Sequence, residues 1–486
     1  MCGIVGIVSS EPVNQQIYDS LLLLQHRGQD STGIATAEGS TFHIVKAKGQ
    51  VREAYRTRDM RSLIGTMGLG HVRYATSGKA SREQEAQPFY VNAPYGIILV
   101  HNGNLTNTRE LTEQLFNIDR RHLNTNSDTE LLLNVLATEL QGEINGKDLQ
   151  PEQVFNTVSR VHQRIEGSYA VIAMIAGHGM LAFRDPFGIR PLILGKKQTG
   201  LVGQEWVVAS ESLVLESGGY EIVRDIAPGE AVFISMDGQL FSQQCAETSA
   251  LIPCAFEYIY LARPDSVMNG ISVYDARLRL GDYLADNIAK QVSSGDIDVV
   301  MPIPDSARPS AMQVAQNLGI EYREGFFKNR YVGRTFIMPG QAVRRKSVRQ
   351  KLNAMSFEFK NKNVLIVDDS IVRGTTSREI VEMARTAGAN SVTFASAAPP
   401  VIFPHVYGIN MPSRGELIAH GRTIEEINRD MGSDRLIYQT VADMNSAILE
   451  GQSAITELEE SCFTGKYIAG NITDEYLNWV EQNQTS

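Results

Sequence analysis

The sequence predicts two unlike layered halves: an α+β domain with its strands in runs, then an α/β domain with C-terminal helices. Three observations carry this. The first ~235 residues read as short strands and turns with few helices, whereas from Ser272 onward helical and strand periods alternate. Between them, Asp237–Ala262 holds neither period and marks the boundary, giving domains at 2–240 and 262–486. At 486 residues, 43% hydrophobic and 21% charged, the chain has the length and composition for two globular cores. The net charge of −10 argues against a general nucleic-acid or membrane-surface binder. Four Cys are too few for a disulfide scaffold, so a reducing, cytoplasmic setting is expected. The longest apolar stretch, Tyr169–Phe183, is broken by Gly177, His178 and Gly179 and falls short of the ~20 residues of a membrane span.

In the first half, Ile4–Val8 is an apolar strand, and Ile17, Leu21 and Leu24 give Val13–His26 a helical spacing. Gly70–Ala75 and Gly96–His101 read as strands, the second running straight into Asn102-Gly103-Asn104. Asn126-Ser127-Asp128 is read as the cap of a helix through Leu131–Leu140. Strands follow between Tyr169 and Ser235, separated by turns at Asp185-Pro186 and Pro228-Gly229-Glu230. In the second half the order is helix Ser272–Gln291, strand Asp298–Met301, helix Ala307–Leu318, strand Val364–Val367, helix Thr375–Ala387 and strand Ser391–Ala395. That alternation predicts an open, mainly parallel sheet with its ligand at the carboxyl ends of the strands. The last ~65 residues read as appended helices.

Cys2 directly follows Met1 and precedes Gly3. Removal of Met1 places a thiol and an α-amine on one residue, and an amine with an ordinary pKa of about 7.7–8.0 serves as general base to that thiol. A buried strand Cys is the plainer alternative on position alone. Arg73, at a strand end, has a fork suited to a carboxylate. Asn102 beside the Gly103 amide offers two donors without bulk, the makings of an oxyanion hole. Asp128, near a helix start, suits an ammonium group. Taken singly, each also reads as surface charge, turn or cap.

In the second half, Val364–Val367 delivers Asp368 and Asp369 at a strand end, and Ser370-Ile371-Val372-Arg373-Gly374-Thr375-Thr376 then turns into a helix. An acidic pair followed by a phosphate-cradling turn matches a ligand with ribose hydroxyls, Mg²⁺ and a 5′-phosphate. It is not a P-loop, because the Gly-Lys-Ser/Thr ending is missing. Between Glu321 and Lys351 nine basic residues face two acidic ones, a local excess of seven suited to a polyphosphate. Gly333, Pro339 and Gly340 in that stretch predict a loop that orders on its ligand.

The segments Met1–Gly6, Gln25–Asp30, Gly70–Tyr74, His101–Gly103, Ser127–Glu130 and Phe183–Pro191 together resemble the N-terminal-nucleophile (Ntn) glutamine amidotransferases. The thirteen residues Val364–Thr376 resemble the phosphoribosylpyrophosphate (PRPP) signature of type I phosphoribosyltransferases. Glu257–Ser266 and Lys328–Ile337 narrow the resemblance to the glutamine PRPP amidotransferases, over nearly the whole chain. The resemblance implies an Ntn hydrolase domain followed by a type I phosphoribosyltransferase domain. It implies conversion of PRPP, glutamine and water to 5-phosphoribosylamine, pyrophosphate and glutamate, the committing step of purine synthesis, with ammonia passed through an internal channel.

By the same resemblance Cys2 is the nucleophile and Asn102 and Gly103 hold the oxyanion. Arg73 binds the glutamine carboxylate, Asp128 its amine, and Arg27 supports the pocket. Asp368 and Asp369 bind the ribose hydroxyls and Mg²⁺, with Ser306 near the metal. Arg373, Gly374, Thr375 and Thr376 cradle the 5′-phosphate, Ser370 binds PRPP beside them, and Lys351 meets the pyrophosphate. Lys328 and Arg330 are candidates for inhibitory AMP and GMP, and the family's tetramers imply a homo-oligomer. Two alternatives are an Ntn amidotransferase with another acceptor and a non-catalytic PRPP-sensing regulator.

One branch of the family carries a [4Fe–4S] cluster and a propeptide. Here Cys254 and Cys462 fill two of the four ligand places, but the other two are His405 and Glu459. Clusters are normally held by four Cys, so no iron–sulfur cluster is expected, and Met1 abutting Cys2 predicts no propeptide.

Overall fold

Alternation along Gly3–Val8 sets the layers of the first half. Ile4 and Val8 face one core, with Ile98, Val100, Ala170 and Ile172, while Val5 and Ile7 face another, with Ile17, Leu21 and Leu213. The computed structural model describes residues 2–74, 85–146, 148–199, 203–329, 352–411 and 413–484. Among these, a seven-stranded antiparallel sheet runs Glu221–Asp225, Ile193–Thr199, Gly203–Ala209, Gly3–Val8, Met67–Arg73, Ser31–Glu38, Thr41–Lys48. A six-stranded sheet runs Leu240–Gln244, Glu230–Ser235, Gly179–Arg184, Gly167–Ile175, Ile97–Leu105, Phe89–Val91. The two sheets pack face to face. Helix Asn14–Leu23 covers the outer face of the first, and helices Asp128–Glu143 and Pro151–Arg164 that of the second. This four-layer arrangement is the Ntn hydrolase architecture.

The second half holds a parallel sheet in the order Glu321–Tyr322, Val299–Pro302, Asn363–Asp368, Ser391–Ser396, Arg435–Tyr438. Both faces are buried: Val300, Leu365, Val367, Ala395 and Ile437 lie on one, and Val299, Met301, Val364, Ile366, Phe394 and Leu436 on the other. Burial on both faces explains why these strands read as continuous apolar runs. Helix Val273–Ala289 covers the first face and helices Thr375–Thr386 and Ile424–Met431 the second.

One sequence expectation changes. The last ~65 residues are not only appended helices, because Ile424–Met431 and the edge strand Arg435–Tyr438 are parts of the sheet and its cover. Arg435–Tyr438 has only Leu436 and Ile437 between an Arg and a Tyr, a shorter apolar run than Val364–Val367 offers. The alternative of an isolated Asn102-Gly103 turn drops out. The strand Ile97–Leu105 runs straight through it, with Gly103 opposite Tyr169, because an extended glycine fits where a Cβ would meet the Ser168 carbonyl. No helix among the described residues is long and apolar enough to cross a membrane.

Candidate active sites

Cys2 leads into the strand Gly3–Val8, and Arg73 ends the adjacent strand, where Gly3 pairs with Val72. Asn102 and Gly103 come from the facing sheet, and Asp128 opens the helix Asp128–Glu143. These elements meet in one pocket lined by Cys2, Arg73, Tyr74, Glu85, His101, Gly103 and Asp128. The Cys2 backbone N–H donates to Asn102 Oδ1 at 3.2 Å. That contact fixes the amide's orientation and leaves the buried Asn102 Nδ2 with no hydrogen-bond partner among the described residues. An unpaired buried donor costs about 1–3 kcal/mol, so the pocket is built to receive an acceptor beside the thiol. Gly103 follows Asn102 on the same strand. Its register partner Tyr169 gives both backbone groups to Asp185, donating to Oδ2 at 3.2 Å and accepting from its N–H at 2.8 Å.

Arg73 donates to Glu85 at 2.8 Å, and Asp128 Oδ2 accepts the Leu105 N–H at 3.2 Å. Gln87 accepts the His101 N–H at 2.6 Å and donates to Thr129 Oγ1 at 2.9 Å, tying the strand that carries Asn102 to the helix that carries Asp128. Burial holds the His101 imidazole below its ordinary pKa, with Asp128 opposing, which favours the neutral ring. Sequence reasoning missed Glu85 and Gln87. They stand in an aperiodic polar stretch before Pro88, and nothing in it marks them as buried.

Arg27 lies beside Cys2 but turns away from the pocket. Its guanidinium is fully buried and donates to Glu211, and to Glu257 at 2.8 Å. Arg190 reaches the same Glu257 at 3.1 Å. Arg27 therefore stands behind the pocket as a strut to the second half, through the π-helical turn Glu257–Leu261. Gly28 follows because the backbone of Arg73 passes there: a Cβ would lie 2.4 Å from the Arg73 carbonyl carbon.

The second site lies at the carboxyl end of the central strand Asn363–Asp368. Asp368 Oδ1 accepts the Asp369 N–H at 2.9 Å, and Asp369 accepts from Ser370 Oγ at 2.7 Å and from Ser306 Oγ. Burial, and the Asp369 charge beside it, push the Asp368 carboxyl well above the usual range. Burial raises Asp369 too, opposed by the two hydroxyls and the more distant Arg277. Two adjacent buried acids, one of them bonded by two hydroxyls, fit a hard divalent cation with oxygen ligands. Gly374 precedes the helix Thr375–Thr386, Arg373 lies 3.7 Å from Glu416, and the buried Arg373 Nε has no partner among the described residues. Lys328 pairs with Asp305 at 2.9 Å, next to Ser306, which puts it on the rim of this same site. Lys351, Arg330 and most of the basic stretch lie outside the described residues.

Cys254, His405 and Glu459 form a third, buried cluster with ligand atoms within 4.8 Å of one another. Only one of the three is a thiol. His405 Nδ1 accepts the Tyr407 N–H at 3.1 Å, so Nε2 carries the ring proton and gives it to Glu459 at 2.8 Å. Burial pushes the Cys254 thiol up to about 12 despite Arg190, and burial holds His405 below its ordinary value.

Acyl-transfer geometry in one half and a polyphosphate site in the other is the pairing of a glutamine amidotransferase with a phosphoribosyltransferase. Residues 71–217 match the glutamine amidotransferase domain family, and residues 272–399 the phosphoribosyl transferase domain family. The chain is 56% identical to the amidophosphoribosyltransferase of Haemophilus influenzae, over 99% of this chain and 95% of that one. It is 54% identical to that of Pseudomonas aeruginosa, over 99% and 96%. A solved glutamine PRPP amidotransferase from B. subtilis, complexed with ADP and GMP, superposes with a TM-score of 0.84 at 37% identity, covering 97% of this chain and 98% of that one. The chain belongs to the amidophosphoribosyltransferases, which use glutamine to aminate PRPP at the first step of purine biosynthesis.

Proposed function

We propose that the two activities divide between residues 2–240 and 262–486, and that the residues brought together above carry them. The observation that bears most weight is the orphaned Asn102 Nδ2 beside Cys2. The Cys2 thiolate attacks the glutamine carboxamide carbon while the α-amine, oriented by Asn102 Oδ1, takes the thiol proton. The new oxyanion is held by Asn102 Nδ2 and the Gly103 N–H. The C–N bond then breaks as the α-ammonium returns its proton to the nitrogen, which leaves as ammonia; a thioester remains on Cys2, and water hydrolyses it to glutamate and the free thiol. Arg73 takes the substrate carboxylate and Asp128 its ammonium.

In the second half Asp368 and Asp369 hold the ribose hydroxyls and Mg²⁺, with Ser306 beside them. Mg²⁺ supplies charge neutralisation for the departing pyrophosphate. Residues 373–376 hold the 5′-phosphate, Ser370 binds PRPP beside them, Lys351 meets the pyrophosphate, and ammonia travels inside the protein to C1 of PRPP. Lys328 and Arg330 contact the phosphate of inhibitory AMP or GMP. The enzyme works as a cytoplasmic homotetramer without an iron–sulfur cluster; the His405 tautomer supports that last point, and iron with acid-labile sulfide in anaerobically purified protein would refute it.

The deciding experiment incubates the protein with glutamine, PRPP and Mg²⁺. Glutamate and pyrophosphate should appear together and depend on PRPP. Glutamate alone would point to a different acceptor, and neither product to a non-catalytic PRPP-binding protein.

A further inference from the structure

The oxyanion strand of the first half is backed by a segment of the second. Gly408 has a φ of +96°, and a Cβ there would lie 2.9 Å from both the carbonyl carbon and oxygen of Gly103 and 3.0 Å from its Cα. On its other side Gly103 is equally confined, since a Cβ there would lie 2.1 Å from the Ser168 carbonyl oxygen. Gly103 is thus gripped between backbone groups of both halves, which cannot yield as a side-chain end does.

Side chains of the first half fasten the segment there. Asn104 Nδ2 donates to the Val406 carbonyl at 2.9 Å, and Ser168 Oγ and Arg190 Nε donate to the Tyr407 carbonyl at 2.9 and 2.8 Å. On its own side, Tyr407 bonds through its hydroxyl to both backbone groups of Ala469, at 2.8 and 2.9 Å. The buried His405–Glu459 pair and the Arg190–Glu257 pair stand behind it.

The stretch 397–411 begins at the other active site, where the Ala397 N–H donates to the Asp368 carbonyl at 2.9 Å. Further along, the Ile418 N–H donates to the Val372 carbonyl at 2.9 Å, inside the phosphate-type turn. The excursion therefore leaves the PRPP site, touches the oxyanion strand at Gly408 and returns to the PRPP site.

We propose that Gly408 is a positioning residue for the glutaminase step: through its contact with Gly103, the second half sets the aim of the oxyanion donor. The inference rests on the roles proposed for Cys2, Asn102 and Gly103. An added methyl at Gly408 displaces Gly103, weakening an interaction made in the transition state and sparing ground-state binding of glutamine at Arg73 and Asp128.

The test is steady-state kinetics of the full-length Gly408→Ala variant with saturating PRPP and either glutamine or ammonium. Expected are a fall of about tenfold or more in kcat with glutamine, a glutamine KM within about twofold of normal, and ammonia-dependent turnover within about twofold. Cys2 should still react with iodoacetamide at the normal rate. Ser168→Ala, which removes one fastening hydrogen bond, should show the same pattern at about threefold. An unchanged kcat, a rise confined to KM, or equal loss with both nitrogen donors overturns the proposal. Should Gly408→Ala fail to fold, Ser168→Ala decides alone by the same criteria. A wild-type protein that releases no glutamate from glutamine sinks the underlying reading; an active wild type with an indifferent Gly408→Ala sinks only the role of Gly408.

Discussion

The two active sites solve opposite electrostatic problems. In the glutaminase pocket charge is matched before any substrate arrives: Arg73 is held by Glu85, and Asp128 accepts the Leu105 amide. What it lacks is one acceptor for Asn102 Nδ2. In the PRPP site two adjacent buried carboxylates repel each other, with the Ser306 and Ser370 hydroxyls supporting Asp369 and only the Asp369 backbone N–H supporting Asp368. A zwitterionic amino acid asks for a finished mould, whereas a polyanion arriving with a cation asks for stored negative charge.

The largest effect should come from Cys2→Ala. Glutamine-dependent synthesis should fall by about 10³-fold or more, while ammonia-dependent synthesis from PRPP stays within about twofold. Equal loss of both would mean that the sites are not separable, and the contrast would collapse.

Asp368→Asn should sharpen it from the other side. Both nitrogen sources should lose about 10²-fold, measured as pyrophosphate release, yet the ligand-free variant should melt higher than wild type because a repelling charge is gone. A lower melting temperature would show that the carboxylates are not under strain without ligand.

Glu85→Gln is a smaller perturbation. Loss of the charge that orients Arg73 should raise the glutamine KM about three- to tenfold with kcat nearly unchanged. A change in kcat alone would place Glu85 in the chemistry instead.

The mildest test varies pH. A carboxyl whose folded pKa is raised favours its protonated form, so the ligand-free protein gains stability as pH falls through that raised range. Cation and PRPP need the ionised pair, so the PRPP KM should climb on acidification while the glutamine KM moves less. Equal pH responses would erase the distinction.

What was legible in the sequence is what is contiguous. Cys2, the Asp368-Asp369 pair and the turn through Thr376 each lie in one unbroken segment whose chemistry needs no fold to be read. Residues that act through distant partners were hidden. Glu211 and Glu257 look like ordinary helix-end acids until the fold closes on Arg27, and Glu85 gains meaning only beside Arg73. Strand Arg435–Tyr438 was hidden because its apolar run is only Leu436-Ile437, without the unbroken apolar stretch that marks Val364–Val367. At Asn102-Gly103 the local propensity for a turn yields to pairing with Ala170 and Tyr169, so the strand runs on past His101.

The alternating row of Glu211, Arg27, Glu257 and Arg190 has a bearing on ancestry and engineering. Three of its members belong to the front of the chain and one to the back, all nearly inaccessible to water. A front portion expressed alone would carry two guanidinium groups with a single carboxylate of the row between them. Grafting this glutaminase onto a foreign acceptor enzyme therefore requires an acid in the place of Glu257, or the pair Arg27 and Arg190 must be replaced with it. The halves are not interchangeable cassettes, and the row is the key cut to keep them together.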